Sequence, residues 1–264
     1  MKQLAGKTAL VTGASSGIGL ALAKSLAARK MNLIITARSE NKLNEIATEL
    51  QKSGVNVDVF SSDLSERGAA ENLFKQVSEA SLHVDLLINN AGFGKWGELL
   101  EINREEYQQM LQLNINALTE LCHLFIPDML SRKEGGIINV GSTASFVPIP
   151  FAAVYSASKA YVLSFTEALQ GEYGDRGLSV MTLCPGGTNS NFAAVANPNL
   201  KQIFANKDTP EFVAEMGLEA FLKGKLYVIT GKGNKKVALL PRILSRQKVL
   251  EIVGASWKKT IGKS

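Results

Sequence analysis

The chain of 264 residues lacks the features that mark secreted and membrane-spanning proteins. It contains two cysteines, Cys122 and Cys184, which are too few to build a disulfide framework. No apolar run approaches the roughly 18 residues that cross a bilayer. The first residues hold no long apolar stretch ahead of a cleavage site, so we expect no signal peptide. These absences predict a cytoplasmic protein.

Charge is ordinary in amount and uneven in position. The chain is 45% apolar and 20% charged, which excludes collagen-like, low-complexity and wholly disordered proteins. Residues 223–264 hold 11 of the 29 basic residues but only one of the 24 acidic residues, Glu251. The net charge of +5 therefore comes from this basic tail, which carries +10 against −5 for the rest of the chain.

Short β-branched runs alternate with helical stretches, and no repeat or linker divides the chain. Strands are predicted over Lys7–Thr12, Asn32–Ala37, Val55–Ser61, Val84–Asn89, Gly136–Gly141, Ser179–Cys184 and Leu226–Thr230. Helices are predicted over Gly17–Arg29, Glu40–Lys52, Arg67–Ala80, Arg104–Ser131 and Ala153–Tyr173. Strands that are apolar on both faces and alternate with helices are typical of a covered parallel sheet. The sequence therefore predicts an α/β fold, a doubly wound Rossmann-type fold with a seven-stranded parallel sheet, as one domain over residues 1–264.

A glycine-rich turn follows the first predicted strand, where residues 12–19 read Thr-Gly-Ala-Ser-Ser-Gly-Ile-Gly. Gly13 permits a tight turn, Gly17 lets the backbone approach a pyrophosphate, and Gly19 packs the next helix close to the strand. A purely structural turn is the alternative, but the strand–turn–helix order favours nucleotide binding. The candidate residues are Gly13, Ser15, Ser16, Gly17, Ile18 and Gly19.

The end of the second predicted strand lacks an acidic residue. Ala37 and Arg38 stand where NAD-binding proteins usually carry an Asp or Glu for the ribose 2′-hydroxyl, and the first acid is Glu40. A guanidinium suits a 2′-phosphate, whereas a carboxylate would repel it. A solvated loop arginine is the alternative interpretation, but the missing acid favours NADP over NAD.

Three residues in the second half have the spacing of a catalytic site. Tyr155 and Lys159 are four residues apart on a predicted helix and share one face. Ser142 follows a predicted strand, at the carboxyl edge where open α/β sheets bind ligands. A Tyr-x-x-x-Lys pair alone is usually surface chemistry, but its combination with the glycine-rich turn is far more specific.

With these motifs the chain resembles the short-chain dehydrogenase/reductase family. The matches follow the family's order: residues 12–19, Asp63-Leu64, Asn89-Asn90-Ala91-Gly92, Asn114, Ser142, Tyr155-Ser-Ala-Ser-Lys159 and Pro185-Gly186. They cover residues 7 to about 192. The resemblance implies an enzyme that uses a nicotinamide dinucleotide to interconvert a carbonyl and an alcohol.

The resemblance also implies catalytic roles. Tyr155 is expected to protonate the carbonyl oxygen, or to act as the base in reverse, with Ser142 orienting that oxygen. Lys159 is expected to bind the nicotinamide ribose and to lower the tyrosine pKa from its ordinary value of about 10. Asn114 matches the helix asparagine that holds a water in the proton relay, and its neighbour Asn116 need not be functional.

The same resemblance assigns the remaining cofactor contacts. Asp63 is expected at the adenine ring and residues 90–92 beside the adenosine ribose. The loop after Pro185 is expected to hold the carboxamide end of the nicotinamide. The family's usual threonine five residues after that proline is Ser190 here, and Thr188 is a second candidate. The cofactor residues implied in this way are Asp63, Leu64, Asn90, Ala91, Gly92, Tyr155, Lys159, Pro185, Gly186, Thr188 and Ser190.

Beyond residue 192 the resemblance weakens. Residues 191–222 are expected to form helices that cover the substrate, with apolar faces from Phe192, Phe204, Phe212, Met216 and Phe221. A second apolar set flanks the catalytic motifs: Phe93, Trp96, Phe146, Val147, Ile149 and Phe151. Any one of these residues is more often core than a ligand contact. As a set, and without an obvious carboxylate clamp, they favour an apolar carbonyl substrate.

The basic tail is predicted to contain one amphipathic helix over Pro241–Lys258, with Ile243, Leu250, Val253 and Trp257 on its apolar face. Packing on the domain or on a second subunit is the first interpretation. Contact with an anionic membrane surface, or with an acidic substrate carrier or coenzyme A, are the alternatives. Nucleic acid is disfavoured because no basic–aromatic binding motif accompanies the charge.

The sequence thus favours an NADP(H)-dependent oxidoreductase of an apolar ketone or a 3-oxoacyl compound, without a metal, as a homodimer or homotetramer. A non-catalytic dinucleotide sensor or scaffold on the same fold is disfavoured because Tyr155 and Lys159 are both present. A sugar-nucleotide epimerase or dehydratase is disfavoured because the glycine spacing differs. Steroid-like, sugar and xenobiotic carbonyls stay compatible with the motifs.

Overall fold

One parallel sheet forms the centre of the protein. The computed structural model describes residues 3–197, 207–231 and 233–260. Its strands are β1 (Thr8–Thr12), β2 (Asn32–Ala37), β3 (Val57–Ser61), β4 (Leu86–Asn89), β5 (Gly135–Val140), β6 (Leu178–Cys184) and β7 (Tyr227–Ile229). They pair in parallel in the order β3-β2-β1-β4-β5-β6-β7. The predicted Rossmann-type fold with a seven-stranded parallel sheet is confirmed, and each strand boundary lies within two residues of its prediction.

Helices connect the strands. They are α1 (Gly17–Ala28), α2 (Glu40–Gln51), α3 (Ala69–Glu79), α4 (Arg104–Leu111), α5 (Leu118–Ser131), α6 (Ala153–Tyr173), α7 (Phe192–Ala196), α8 (Pro210–Leu222), α9 (Asn234–Ile243) and α10 (Arg246–Thr260). A π-helical turn, Gln112–Ala117, joins α4 to α5, where the sequence predicted one regular helix. Among the helices in the described residues, none combines the length and hydropathy needed to cross a membrane.

The strand residues alternate between two hydrophobic cores. On one face, Val11, Ile35 and Ile88 pack with the apolar sides of α1, α2 and α8. On the other face, Leu10 and Leu87 pack with α3, α5 and α6. Because both faces are covered, the central strands are apolar at nearly every position, which is the pattern that the sequence shows.

The order of the strands reverses between β1 and β4, which are neighbours in the sheet. β1 leads through α1 to β2 on one side, while β4 leads through α4 and α5 to β5 on the other. The loops after β1 and β4 therefore diverge and leave a crevice at the carboxyl edge of the sheet.

The basic tail contains two helices, so the prediction of one helix over Pro241–Lys258 is wrong. The chain becomes extended at Leu244, with φ −121° and ψ 154°, and α10 starts afresh two residues later. Ser245 caps the new helix, because its Oγ accepts a hydrogen bond from the Lys248 N–H at 3.3 Å. Pro241, the first residue of the predicted helix, lies inside α9.

The inward face of the tail also differs from the prediction. Val249 and Val253 of α10 are buried, and they pack in one cluster with Trp257 and residues of the catalytic motifs. Ile243 is 73% exposed and Leu250 is 47% exposed, so these two predicted inner residues face outward. The break before α10 separates Ile243 from that helix, and the inward face of α10 is formed by Val249, Val253 and Trp257 at spacings of four residues.

Candidate active site

The carboxyl ends of the strands open into one cleft of about 920 Å³. It extends from the loop after β2 to helix α10. Most of the residues singled out in the sequence line it: Gly13, Ser15, Ser16, Gly17, Ile18, Arg38, Asp63, Leu64, Asn90, Ala91, Gly92, Ser142, Tyr155, Lys159, Pro185, Gly186, Thr188 and Ser190. Gly19 and Asn114 are not among the described lining residues and lie directly behind them.

The glycine-rich turn is built by backbone geometry that side chains would prevent. Gly13 and Gly17 have φ values of +65° and +55°, in the region that favours glycine. A Cβ on Gly19 would lie 2.3 Å from the carbonyl oxygen of Gly13. The start of α1 therefore packs directly on the turn and aims its N-terminal N–H groups at the cleft, a place that suits a phosphate group.

Thr12 fixes the turn to the neighbouring strand, a role that the sequence reading missed. Its Oγ1 accepts the backbone N–H groups of Asn90 and Ala91, both at 2.9 Å. The Asn90 Nδ2 donates back to the Thr12 carbonyl oxygen at 2.9 Å. These bonds hold the loops after β1 and β4 together on the two sides of the crevice.

Two cations lie at the far end of the cleft. Arg38 directly follows β2, and Lys42 lies on the first turn of α2, four residues further along the chain. Asp63, also in the lining, accepts hydrogen bonds from the Ser65 backbone and hydroxyl at 3.0 and 2.6 Å. Lys42 was not singled out in the sequence, because Arg38 lies outside α2 and no helical spacing relates the two residues.

Ser142, Tyr155 and Lys159 meet at the carboxyl ends of β5 and β6. Tyr155 and Lys159 are 6% and 4% exposed on α6, and the Lys159 Nζ lies 6.0 Å from the centre of the tyrosine ring. The Lys159 Nζ donates a hydrogen bond to the Val140 carbonyl oxygen at 2.8 Å. Ser142 accepts the Ala144 N–H at 3.1 Å, which fixes its hydroxyl at the start of a short 3₁₀ turn.

Burial controls the protonation of these groups. It raises the pKa of Tyr155 to about 12, although a hydrogen bond with the Ser142 side chain opposes the shift. It lowers the pKa of Lys159 to about 8. The expected lowering of the Tyr155 pKa is therefore not seen in this structure, in which loss of hydration is the largest cause of the shift. The phenol is protonated at neutral pH and is available as an acid.

Asn114 lies on the π-helical turn, behind Gly92 and Lys159. Its Nδ2 donates to the Phe93 carbonyl oxygen at 2.9 Å and to the Ser158 Oγ at 3.1 Å, and its Oδ1 accepts the Phe93 N–H. A Cβ on Gly92 would lie 2.9 Å from the Asn114 Oδ1 and 3.5 Å from the Lys159 Nζ. Such local π-helical widening is common at functional sites.

The loop after β6 closes the middle of the cleft. Thr188 is buried, and its hydroxyl donates to the Gly186 carbonyl oxygen at 3.1 Å. The Ser190 side chain lies over the glycine-rich turn, since a Cβ on Gly17 would be 3.4 Å from the Ser190 Cβ. Asn234 at the start of α9 also lines this part, and no sequence pattern pointed to it.

Aromatic rings surround Tyr155. The centre of the Trp96 ring lies 4.8 Å from that of Tyr155 and 5.8 Å from that of Trp257, and the Phe192 ring lies 5.7 Å from Tyr155. Val253 of α10 completes this wall. The tail therefore forms part of the cleft, although the sequence reading gave it no place there.

Of the other apolar residues predicted near the substrate, some line the cleft and others pack elsewhere. Phe93, Val147 and Ile149 line the cleft, whereas Phe146 packs on Tyr227 of β7. Helix α8 differs from the expected cover over the substrate, because it packs on α1 with residues such as Phe221 in the core. Phe212 on α8 is exposed and Met216 lies away from the cleft. Phe204 falls outside the described residues, and Phe151 is not among the described lining residues.

The fold and the cleft define a Rossmann-type dinucleotide-binding protein with a buried tyrosine, lysine and serine at the end of the sheet. The sequence profile of the short chain dehydrogenase family matches residues 7–201. The chain therefore belongs to the short-chain dehydrogenase family of oxidoreductases.

Two relatives align with most of this chain. A ketoacyl reductase of a Nostoc species is 30% identical over 232 residues, which cover 88% of this chain and 81% of that protein. A very-long-chain 3-oxoacyl-CoA reductase of Anas platyrhynchos is 31% identical over 234 residues, covering 84% of this chain and 72% of the relative.

Solved structures agree with the fold and differ in their nucleotide. A 7β-hydroxysteroid dehydrogenase has a TM-score of 0.84 and 26% identity, with 94% of this chain and 97% of that chain covered. A short-chain dehydrogenase of Sphingobium yanoikuyae, solved with NADPH, has a TM-score of 0.79 and 25% identity, covering 98% and 96% of the two chains. A short-chain dehydrogenase/reductase of Burkholderia phymatum, solved with NAD, has a TM-score of 0.82 and 26% identity, covering 96% of this chain and 97% of that chain.

Proposed function

We propose that this protein is an NADP(H)-dependent oxidoreductase that interconverts a carbonyl compound and an alcohol, with Tyr155 as the acid and base. The observation that carries the proposal is the buried Tyr155 beside Ser142 and Lys159, in the same cleft as the glycine-rich turn. A scaffold or a sensor of nucleotides would need the turn alone. It would gain nothing from a phenol and an amine kept together in a site where burial destabilises their charged forms.

The chain fits a dinucleotide at several points. The turn at Gly13 leaves backbone N–H groups open to a pyrophosphate. The turn is compact because Gly19 has no side chain, and a Cβ there would clash with the Gly13 carbonyl oxygen. Arg38 and Lys42 supply two cations at the end of the cleft where a 2′-phosphate would lie, which supports NADP over NAD. Asp63, residues 90–92, and the loop with Thr188 and Ser190 would hold the rest.

The bound dinucleotide would supply or accept the hydride, and the residues of this chain would handle the proton and the alignment. Tyr155, protonated at neutral pH, donates its proton to the carbonyl oxygen. Ser142 orients that oxygen by a hydrogen bond. Lys159 would hold the nicotinamide ribose and, when charged, would favour the phenolate that forms. Asn114 positions the loop at Phe93, and it would hold a water for the return of the proton.

The substrate is an apolar ketone or a 3-oxoacyl compound. The wall beside Tyr155 consists of Trp96, Phe192, Val253 and Trp257, and it offers no charge to bind a carboxylate. At the edge of the cleft the Lys95 ammonium is 2.5 Å from a Glu106 carboxylate oxygen, so this cation is already neutralised. The two named relatives, both reductases of oxoacyl compounds, support the same class.

Two experiments test this proposal. The first is fluorescence titration with NADPH and NADH, and the second is a screen of apolar ketones and 3-oxoacyl thioesters. We expect tighter NADPH binding, substrate-dependent NADPH oxidation, and a Tyr155→Phe variant that binds NADPH normally but has lost at least 99% of its turnover, on the order of the loss expected for a removed acid. Full activity of Tyr155→Phe would refute the mechanism, and failure to bind either nucleotide would favour the non-catalytic alternative. A cytoplasmic location and a homodimer or homotetramer stay predictions.

A further inference from the structure

A second groove lies on the side of the domain away from the glycine-rich turn, between α8, β7 and α9. It has a volume of about 460 Å³, and apolar side chains including Met216, Ile229 and Ala238 form part of its lining. None of its described lining residues lines the active-site cleft. The groove is therefore a separate surface feature.

Four cations surround the groove: Lys223, Lys225, Lys235 and Arg242. Lys223 is paired with Glu219 at 3.2 Å. For Lys225, Lys235 and Arg242, no ion pair is formed within the part of the chain that the structure describes. This side of the domain thus presents three uncompensated positive charges beside an apolar groove.

Apolar side chains stand among these charges. On α9, Leu239 and Ile243 are 48% and 73% exposed, and they share a helix face with Lys235 and Arg242 because the spacings are three and four residues. Phe212 is exposed on the same face of α8 as Met216, and Leu226 is exposed directly before β7. Charged and apolar residues are thus interleaved rather than separated.

From this arrangement we infer that the basic apolar face, made of Phe212, Leu226, Lys225, Lys235, Leu239, Arg242 and Ile243, rests on an anionic lipid surface. Lysine and arginine side chains bind lipid headgroups, while leucine and isoleucine between them enter the boundary of the acyl chains. The basic tail, with its net charge of +10, supplies the attraction to the anionic lipid at longer range.

A second copy of this chain fits the face less well. A two-fold contact places the same patch on both sides of the interface. Lys225, Lys235 and Arg242 would then face their own equivalents, and like charges at an interface oppose binding. A lipid surface supplies the anions and the apolar phase together, so it satisfies both parts of the face.

The test is flotation of the full-length protein with vesicles at 0.15 M NaCl, without nucleotide or substrate. The wild type is expected to float with vesicles of phosphatidylcholine and phosphatidylglycerol at 3:1, and not with phosphatidylcholine alone. A Lys225→Gln/Lys235→Gln/Arg242→Gln variant should bind on the order of a hundredfold more weakly, at about fivefold for each cation. A Leu239→Ser/Ile243→Ser variant, with unchanged charge, should lose at least tenfold.

A matched control removes three cations near the opposite edge of the sheet, as Lys52→Gln/Arg67→Gln/Lys75→Gln. This variant should float nearly like the wild type, and thermal unfolding should show that all variants are folded. Absence of binding to anionic vesicles, equal binding to neutral vesicles, or equal losses in the control and the test variants would overturn the inference. So would light scattering in which Leu239→Ser/Ile243→Ser converts a dimer to a monomer, because a second copy would then cover the face.

Discussion

The ammonium group of Lys159 makes the stability of the folded chain depend on pH in a predictable direction. The side chain is 4% exposed, and burial lowers its pKa from 10.5 to about 8. Between these values the unfolded chain binds one more proton than the folded chain. Stability therefore rises with pH across this window, as the folded protein loses a buried charge.

The magnitude follows from the shift. A difference of 2.5 between the two pKa values corresponds to about 3–4 kcal/mol, since each unit is worth about 1.4 kcal/mol. At pH 7 nearly all of this cost is present, and about 2 kcal/mol of it is relieved by pH 9.5. A Lys159→Met substitution removes the titration while keeping an unbranched apolar chain in the same space. It also removes the hydrogen bond to the Val140 carbonyl oxygen, a loss of about 1–3 kcal/mol that does not vary with pH.

Urea unfolding of the wild type and of Lys159→Met, without nucleotide, measures the effect at pH 7, 8, 9 and 9.5. The stability of the variant relative to the wild type should fall by about 2 kcal/mol across this series. Titration of the two cysteine thiols in the unfolded chain affects both proteins alike and cancels in the difference. A difference that stays constant from pH 7 to 9.5 would refute the reasoning, because Lys159 would then keep its ordinary pKa in the fold.

Three further substitutions test the cleft. Gly19→Ala places a Cβ 2.3 Å from the Gly13 carbonyl oxygen, so NADPH affinity should fall by at least about tenfold and the free energy of unfolding by about 1–3 kcal/mol in urea. The control is Gly171→Ala, at a helix position with open space, which should leave that free energy unchanged or raise it by about 0.5–1 kcal/mol. Trp257→Ala opens the apolar wall, and kcat/KM for bulky ketones relative to small ones should rise about tenfold; an unchanged ratio would contradict its place in the wall. Arg38→Asp should weaken NADPH binding by about ten- to a hundredfold in fluorescence titration while NADH binding is kept, and unchanged preference would remove Arg38 from 2′-phosphate recognition.

The sheet and the glycine-rich turn were predictable because both depend on short-range sequence. Alternating strands and helices set the parallel order, and the turn between β1 and α1 needs glycine at fixed positions. Strand ends were less certain: β3 begins at Val57 instead of Val55, since pairing with β2, and not β propensity, decides where the strand starts.

The substrate side depended on packing between distant segments, which no local pattern reveals. Phe221 was read as part of a cover over the substrate, but Gly136 of β5 leaves the space that its ring fills, 2.5 Å from where a Cβ would be. The break at Leu244 set the inward face of α10. The pKa of Tyr155 likewise depends on burial, whereas the spacing from Lys159 shows only which charge is near.

Helix α10 supplies part of the wall beside Tyr155, and it is the last helix in the described part of the chain. During synthesis the glycine-rich turn, Arg38 and Tyr155 emerge from the ribosome well before Val253 and Trp257. A nascent chain that has folded up to β7 already contains the glycine-rich turn, Arg38 and Tyr155, but its cleft still lacks the wall that α10 supplies. Loss of α10 would therefore remove one wall of the cleft and leave the glycine-rich turn and Arg38 in place.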